Sequence, residues 1–486
     1  MGKIDVRNSI ILMILWICFL FLIILHCYDF NYYNKTSLIL VLSIALIVAC
    51  GFCFKRDNQK VLKGQYLRIS NLFLLGFIIV HFQFYIDLVL ENFDLNRKDL
   101  IVDQNVLVKS AIISCLALVC FCLGYLYKLK KRIILIQEED NLKSKIINLN
   151  VLKVLLIIFF IGFIVTTPSS YYKGGYSSTE LSQFSLYFQS FLILSIIGYL
   201  VLNTRNLILL KRKNLSFLNF IKYNGVILTS LIIAFCFLVM VSGDRGPILQ
   251  IFLIYVGCYC ILNRKKYKIV FVTGGVFLAA FLVSFLAYFR HYDGTGNILD
   301  MIQHSSELRV NAVSSKLSFS SSTFELSKSV RTMHASVLYT EKEGHTYGLF
   351  QGFQLISIIP GMGQLIMPLF GIDSEMLKSS RFLTEQLNAD HGLGTTVVAD
   401  IWLDFGIIGI VLVFFIFGYF LRKMDEYMYS HLSLNIFIYI LIAVFLSKAF
   451  YIGRSTILII FRDVILGYLI LLIGINLVRS SRKKIK

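Results

Sequence analysis

The chain has 486 residues, 57% of them hydrophobic and 15% charged, with a mean hydropathy of +0.75. These values exclude a soluble globular domain and define a polytopic membrane protein. The net charge of +19 sorts by loop, so it reads as a topology signal and implies no nucleic-acid partner.

A spanning helix needs about 20 mostly apolar residues, because hydrocarbon offers no partner to a backbone that is not hydrogen-bonded internally. About twelve such runs follow one another, near 9–27, 37–54, 66–86, 105–127, 150–167, 183–203, 223–242, 246–262, 268–288, 397–421, 431–451 and 455–478. The expected fold is therefore an all-α bundle of about twelve spans forming one membrane domain over 1–486. The first run lacks a small-residue cleavage site and reads as an uncleaved helix rather than a removed signal peptide.

Lys and Arg concentrate in alternate tails and loops. One set holds Lys55, Arg56, Lys60 and Lys63, then Lys128, Lys130, Lys131 and Arg132, then Lys211, Arg212 and Lys213. It continues with Arg264, Lys265, Lys266 and Lys268 and ends with Arg482, Lys483, Lys484 and Lys486. The positive-inside rule puts this set, and both termini, in the cytoplasm, where the basic clusters can also touch anionic lipid headgroups. The opposite short loops are poor in basic residues or acidic, as in "DLVLENFDLNRKDLIVD".

All ten cysteines lie in apolar runs or at their ends. Cys50 and Cys53 form a CxxC inside the second span, but no second CxxC or CxxH accompanies it. Neither a disulfide framework nor a zinc site is expected, and no cofactor is implied.

Between the seventh and eighth spans the apolar run is interrupted by "SGDRGP". Gly243 and Gly246 permit a tight reversal at the outer face, and Pro247 suits the first turn of the next helix. Arg245 then sits near a helix N-terminus, where free N–H groups and the helix dipole favour an anion such as phosphate or pyrophosphate. The alternative is that the hairpin simply needs Gly and Pro, with Asp244 and Arg245 neutralising each other.

After the ninth span, from about Arg290 to Thr396, comes a connection too long to be idle, expected outside the membrane. It holds five of the eight histidines (His291, His304, His334, His345, His391), together with Arg290, Arg309, Arg331 and Arg381. Within it, the apolar segment 347–371 is interrupted by Pro360 and Pro368 and reads as interfacial or re-entrant, since a further span there would turn the basic C-terminus outward.

The stretch "NADHGLGTTVVADIWLDFGIIG" leads into the tenth span. His391 precedes that span by about two turns, where an imidazole could take a proton from a sugar hydroxyl at neutral pH. Asp400 and Asp404, spaced i, i+4, share one helix face and could contact sugar hydroxyls, orient His391 or pair with arginines. Farther on, Arg454 occupies the outer turn "YIGRST", and Arg462 lies about two turns deeper in the last span. A charge inside a span is costly, and it usually faces the bundle interior. Asp463 points about 100° away on the helix, so another helix is expected to supply the partner of Arg462. Arginines converging on one cavity suit a phosphate headgroup, because guanidinium presents a donor fork.

At these residues the chain resembles the O-antigen polysaccharide polymerases called Wzy. "SGDRGP" on an outer hairpin, the long outer loop and "HGLGTTVVADIWLDFGIIG" before the next span carry the likeness. The last of these is also similar to the O-antigen ligases. The resemblance implies a metal-independent GT-C type glycosyltransferase in a bacterial cytoplasmic membrane. Such an enzyme moves a growing glycan from undecaprenyl pyrophosphate onto the non-reducing end of an undecaprenyl-pyrophosphate-linked repeat unit. It works with a chain-length regulator and a flippase in O-antigen, capsule or exopolysaccharide synthesis. It assigns His391 the base role and Arg245 and Arg290 the pyrophosphate; Asp244, Arg381, Asp400, Asp404, Arg454 and Arg462 are expected substrate contacts from topology. The alternatives are a flippase or exporter of lipid-linked oligosaccharide, a ligase-like transferase, and a membrane acyltransferase.

Overall fold

The computed structural model describes residues 6–28, 33–55, 62, 64–92, 103–127, 147–173, 181–210, 212, 215–242, 244, 246–263, 274–275, 323–359, 362–370, 378–386, 394–430 and 436–484. Among the described residues there is no strand, and the architecture is all-α.

Helices α1 (Val6–His26), α2 (Lys35–Cys53), α3 (Ile69–Val89), α4 (Leu107–Leu126), α5 (Asn150–Thr166) and α6 (Gln183–Leu209) fall on the first six apolar runs. α7 (Phe217–Asn224) and α8 (Val226–Ser242) meet at a bend of 100°. Gly225 makes that bend with a φ of 88°, a conformation costly for any residue with a Cβ. The expected span 223–242 is thus trimmed, because its first residues close the angled helix α7. α9 (Gly246–Asn263) follows.

The second part of the chain opens with α10 (Phe324–Ser327), α11 (Val330–Glu343), α12 (Leu349–Ile356), α13 (Met362–Ile366) and α14 (Ser379–Gln386). It ends with α15 (Val397–Ser430), α16 (Ile436–Lys448), a 3-10 turn at Ala449–Arg454 and α17 (Ile457–Lys484). Nine described helices are long and apolar enough to cross a bilayer, or ten if the bent pair is one span; α5 is apolar but only 17 residues long. The expected ninth span, 268–288, lies outside the described residues apart from 274–275, as do 290–322 of the long connection.

α4 forms the axis of the bundle, with every residue but Lys109 buried. α15 runs along it at backbone contact. A Cβ on Gly124 would overlap the Phe415 carbonyl, and one on Gly418 would overlap that of Phe121. Reciprocal glycines of this kind let two helices approach closely where lipid gives no hydrophobic drive to associate. α1 and α2 pack on α4, and α1 leaves Met13, Ile17, Leu20 and Ile24 exposed on its far side, as a lipid-facing helix should.

At the end of α15 remote from its start, the buried Asp425 accepts from Ile69 N (3.0 Å), Ser70 Oγ (2.5 Å) and Tyr125 Oη (3.1 Å). It thereby caps α3, whose own N-cap residue Arg68 supplies no side-chain acceptor. A second contact zone joins α6 with α5, α9 and α17, and α16 with α9 and α17.

Candidate functional site

The site begins with a fault in α15. At 34 residues this helix would run about 51 Å, well beyond the ~30 Å of a hydrocarbon core. Gly406, with φ 57° and ψ −146°, breaks it and leaves 397–405 as a short arm. In an unbroken helix the Leu403 carbonyl would accept from residue 407. Here Thr346 replaces that donor twice, through its backbone N–H (3.0 Å) and its hydroxyl (3.1 Å).

The two carboxylates on the arm then hold α12. Asp404 accepts from Thr346 Oγ1 (2.5 Å) and from the backbone N–H groups of Phe350 (3.2 Å) and Gln351 (2.7 Å). It caps a helix whose N-cap residue, Gly348, has no side chain to do so. One turn earlier, Asp400 accepts from Gln351 Nε2 (2.6 Å), Gln354 Nε2 (3.0 Å) and Ser379 Oγ (2.6 Å). Both aspartates are fully buried and neither accepts from an arginine among the described residues. They stand behind the wall of the site, not in its lumen, because a buried carboxylate must spend its lone pairs on protein donors.

That wall encloses a cavity of about 410 Å³. Gln354 and Ser379, two of the three side chains held by Asp400, line it together with Lys378, Thr395, Arg454, Thr456 and Arg462. Ile459, Arg462 and Leu466 follow one another on a single face of α17, so this side of the cavity sets a guanidinium between two apolar side chains. Its described lining carries three cationic side chains, Lys378, Arg454 and Arg462, and no carboxylate. Gly394, with φ 75°, lines the cavity three residues after His391, and a Cβ there would stand 3.9 Å from Arg454 Nε.

Arg454 is fixed through its backbone. The 3-10 turn 449–454 lies on α3, where a Cβ on Gly76 would overlap the Phe450 carbonyl and one on Gly453 would stand 3.3 Å from Phe77 Cα. Arg462 departs from expectation. Its Nε and Nη2 lie 3.4 Å from Oδ1 of the adjacent Asp463, while α16 contributes Lys448, which pairs with Asp463 and not with Arg462. The long arginine side chain spans the angular offset that would separate shorter neighbours.

The remaining expected residues divide. Asp244 Oδ1 accepts from Gly246 N (3.2 Å), and its Oδ2 lies within reach of Gln189 Nε2 (3.3 Å) and Tyr171 Oη (3.5 Å), so it closes the hairpin and starts α9. Arg381 lies on the exposed side of α14 in an i, i+4 pair with Glu385 (3.0 Å) and is not among the cavity-lining residues. Arg245, Arg290 and His391 lie outside the described residues. Of the loop histidines that are described, His334 is fully buried against Tyr85 Oη (2.9 Å), and burial pushes its imidazole down to about 3. His345 packs on Trp402, with ring centroids 5.3 Å apart. Lys378, Lys448, Gln351 and Gln354 escaped the sequence reading. Lys448 had a signal, a lone charge within "AVFLSKAFY".

No curated protein and no solved structure matches the chain. A described bundle of apolar helices around a cationic cavity is the setting in which a membrane polymerase of anionic lipid-linked glycans would work. The family model of the O-antigen polysaccharide polymerase Wzy matches residues 9–484, nearly the whole length, and the chain belongs to that family.

Proposed function

We propose that this polymerase extends its glycan at the extracytoplasmic face of a bacterial cytoplasmic membrane, with both termini in the cytoplasm. The donor is a growing glycan on undecaprenyl pyrophosphate, and the acceptor is the non-reducing-end sugar of a lipid-linked repeat unit. The observation that carries this reading is the convergence of Arg454, Arg462 and Lys378 on one cavity without a carboxylate in its described lining. Guanidinium forks and an ammonium at one site suit a diphosphate headgroup. Ile459, Leu466 and Phe353 in the same lining suit the first isoprenoid units.

In the reaction, an acceptor hydroxyl oxygen attacks the donor anomeric carbon. The bond from that carbon to the diphosphate oxygen breaks, and its electron pair leaves with undecaprenyl pyrophosphate. His391, on the connection that enters the cavity wall at Gly394, takes the hydroxyl proton. Arg245 and Arg290 join the described cations in meeting the charge that develops on the leaving group, so the chain itself supplies the stabilisation that a metal ion would otherwise give. The energy resides in the glycosyl diphosphate bond, and no nucleotide is consumed. We read the apolar segment 347–371 as interfacial, a reading supported by the exposure of Leu355, Ile359, Leu365 and Leu369. A chain-length regulator and a flippase are its working partners.

Purified protein in nanodiscs, offered a defined lipid-linked repeat unit, should build a ladder of lengthening products. Absence of a ladder, combined with repeat units trapped on the cytoplasmic side of cells lacking the protein, would assign it to transport instead.

A further inference from the structure

Behind the cavity, three charged side chains meet where α16 and α17 pack. Lys448 ends α16 and pairs with Asp463 Oδ2, while Asp463 Oδ1 stands 3.4 Å from both Nε and Nη2 of Arg462. Asp463 is the most enclosed of the three, with 7% of its side chain exposed against 22% for Lys448 and 34% for Arg462. Arg462 alone of the three lines the cavity.

A buried carboxylate demands a cation, and here two compete for it. Lys448 pairs with one oxygen, and the arginine stands at the limit of contact with the other while its side chain also lines the lumen. Without the ammonium, the attraction between Asp463 and Arg462 in low-dielectric surroundings would draw the guanidinium onto the carboxylate and cancel its charge. We infer that Lys448 is a positioning residue that occupies Asp463 and thereby keeps Arg462 available to the anionic headgroup of the lipid substrate. The inference rests on the reading of the cavity as the site of that headgroup. Lys448 itself touches no substrate.

The test compares Lys448→Met, Lys448→Arg, the double variant Lys448→Met with Asp463→Asn, and Arg462→Ala, in nanodiscs with a defined lipid-linked repeat unit. Lys448→Met should raise KM about tenfold with a smaller change in kcat, and Lys448→Arg should keep KM within about twofold. The double variant should recover most of the lost affinity, because a neutral amide no longer competes for Arg462. A role confined to holding α16 against α17 would give no such recovery. Wild-type KM in Lys448→Met, or a double variant as impaired as the single one, overturns the inference. If Lys448→Met protein fails to accumulate in the membrane, the double variant decides alone. A KM within about threefold of wild type supports the lock, and a tenfold rise defeats it. Arg462→Ala separates this from the underlying reading, since an unchanged KM there removes the headgroup from the cavity whatever Lys448 does.

Discussion

Asp404 accepts the backbone N–H of Gln351 at 2.7 Å, across 53 residues of sequence. A carboxylate on the broken arm of α15 thus caps the helix that forms part of the cavity wall. The same long helix caps α3 at its other end through Asp425, which accepts Ile69 N at 3.0 Å. α15 therefore organises both ends of the bundle with one device, an aspartate serving the free N–H groups of a helix that cannot cap itself.

Asp404→Ala should leave the Phe350 and Gln351 backbone donors with no acceptor, while the Thr346 hydroxyl keeps the Leu403 carbonyl, at a cost of about 2–3 kcal/mol. Asp404→Asn keeps one acceptor oxygen and should recover part of that. Thermal unfolding of the purified variants checks the order wild type, Asn, Ala. An Ala variant as stable as wild type would show that the cap contributes nothing.

Gly406→Ala should be more damaging than an ordinary glycine replacement. Its φ of 57° with ψ −146° is strained for a residue with a Cβ, and the added carbon would stand 2.6 Å from His345 Nε2. The backbone strain alone is about 1–3 kcal/mol. Combining it with His345→Ala should relieve the contact and leave the strain. The double variant should therefore unfold between Gly406→Ala and wild type, and equal midpoints for the two variants would remove the contact from the account.

The helices were legible because bilayer thickness imposes their length: runs such as 9–27 and 105–127 became α1 and α4 with small boundary shifts. The i, i+4 spacing of Asp400 and Asp404 was legible too, as a shared face. What they do was not, since Gln351, Gln354 and Ser379 reach them only through tertiary contact. The role of Lys448 was hidden for a related reason. It terminates a helix beside a 3-10 turn, and only the packing of α16 on α17 brings it to Asp463.

His334 makes stability depend on acidity. Its imidazole lies at about 3 in the folded state against 6.5 for the free group, because it is buried. The unfolded chain then binds the proton first as pH falls, so stability is complete above about 6.5 and is lost progressively between 6.5 and 3. At pH 5 this one residue should cost about 2 kcal/mol. His334→Gln, which can still meet Tyr85 Oη, should flatten the fall in unfolding midpoint between pH 7.5 and pH 5. An identical fall in the variant would place the acid sensitivity elsewhere.

Arg454 provides the sharpest contrast between charge and geometry. Arg454→Ala removes a donor fork from the cavity and should lower kcat by about 10²–10³, the usual effect of losing one stabilising donor. A lysine at this position would keep the charge without the fork, so Arg454→Lys should recover only part of the loss. Gly76→Ala reaches the same residue indirectly, because the added Cβ would overlap the Phe450 carbonyl and push the turn 449–454 off α3. That variant should lose polymer length although Gly76 lines no part of the cavity. Full-length polymer from Gly76→Ala would mean that the turn can shift without moving the guanidinium. The fork would then rest on Arg454→Lys by itself, and wild-type kcat in that variant would show that the charge suffices.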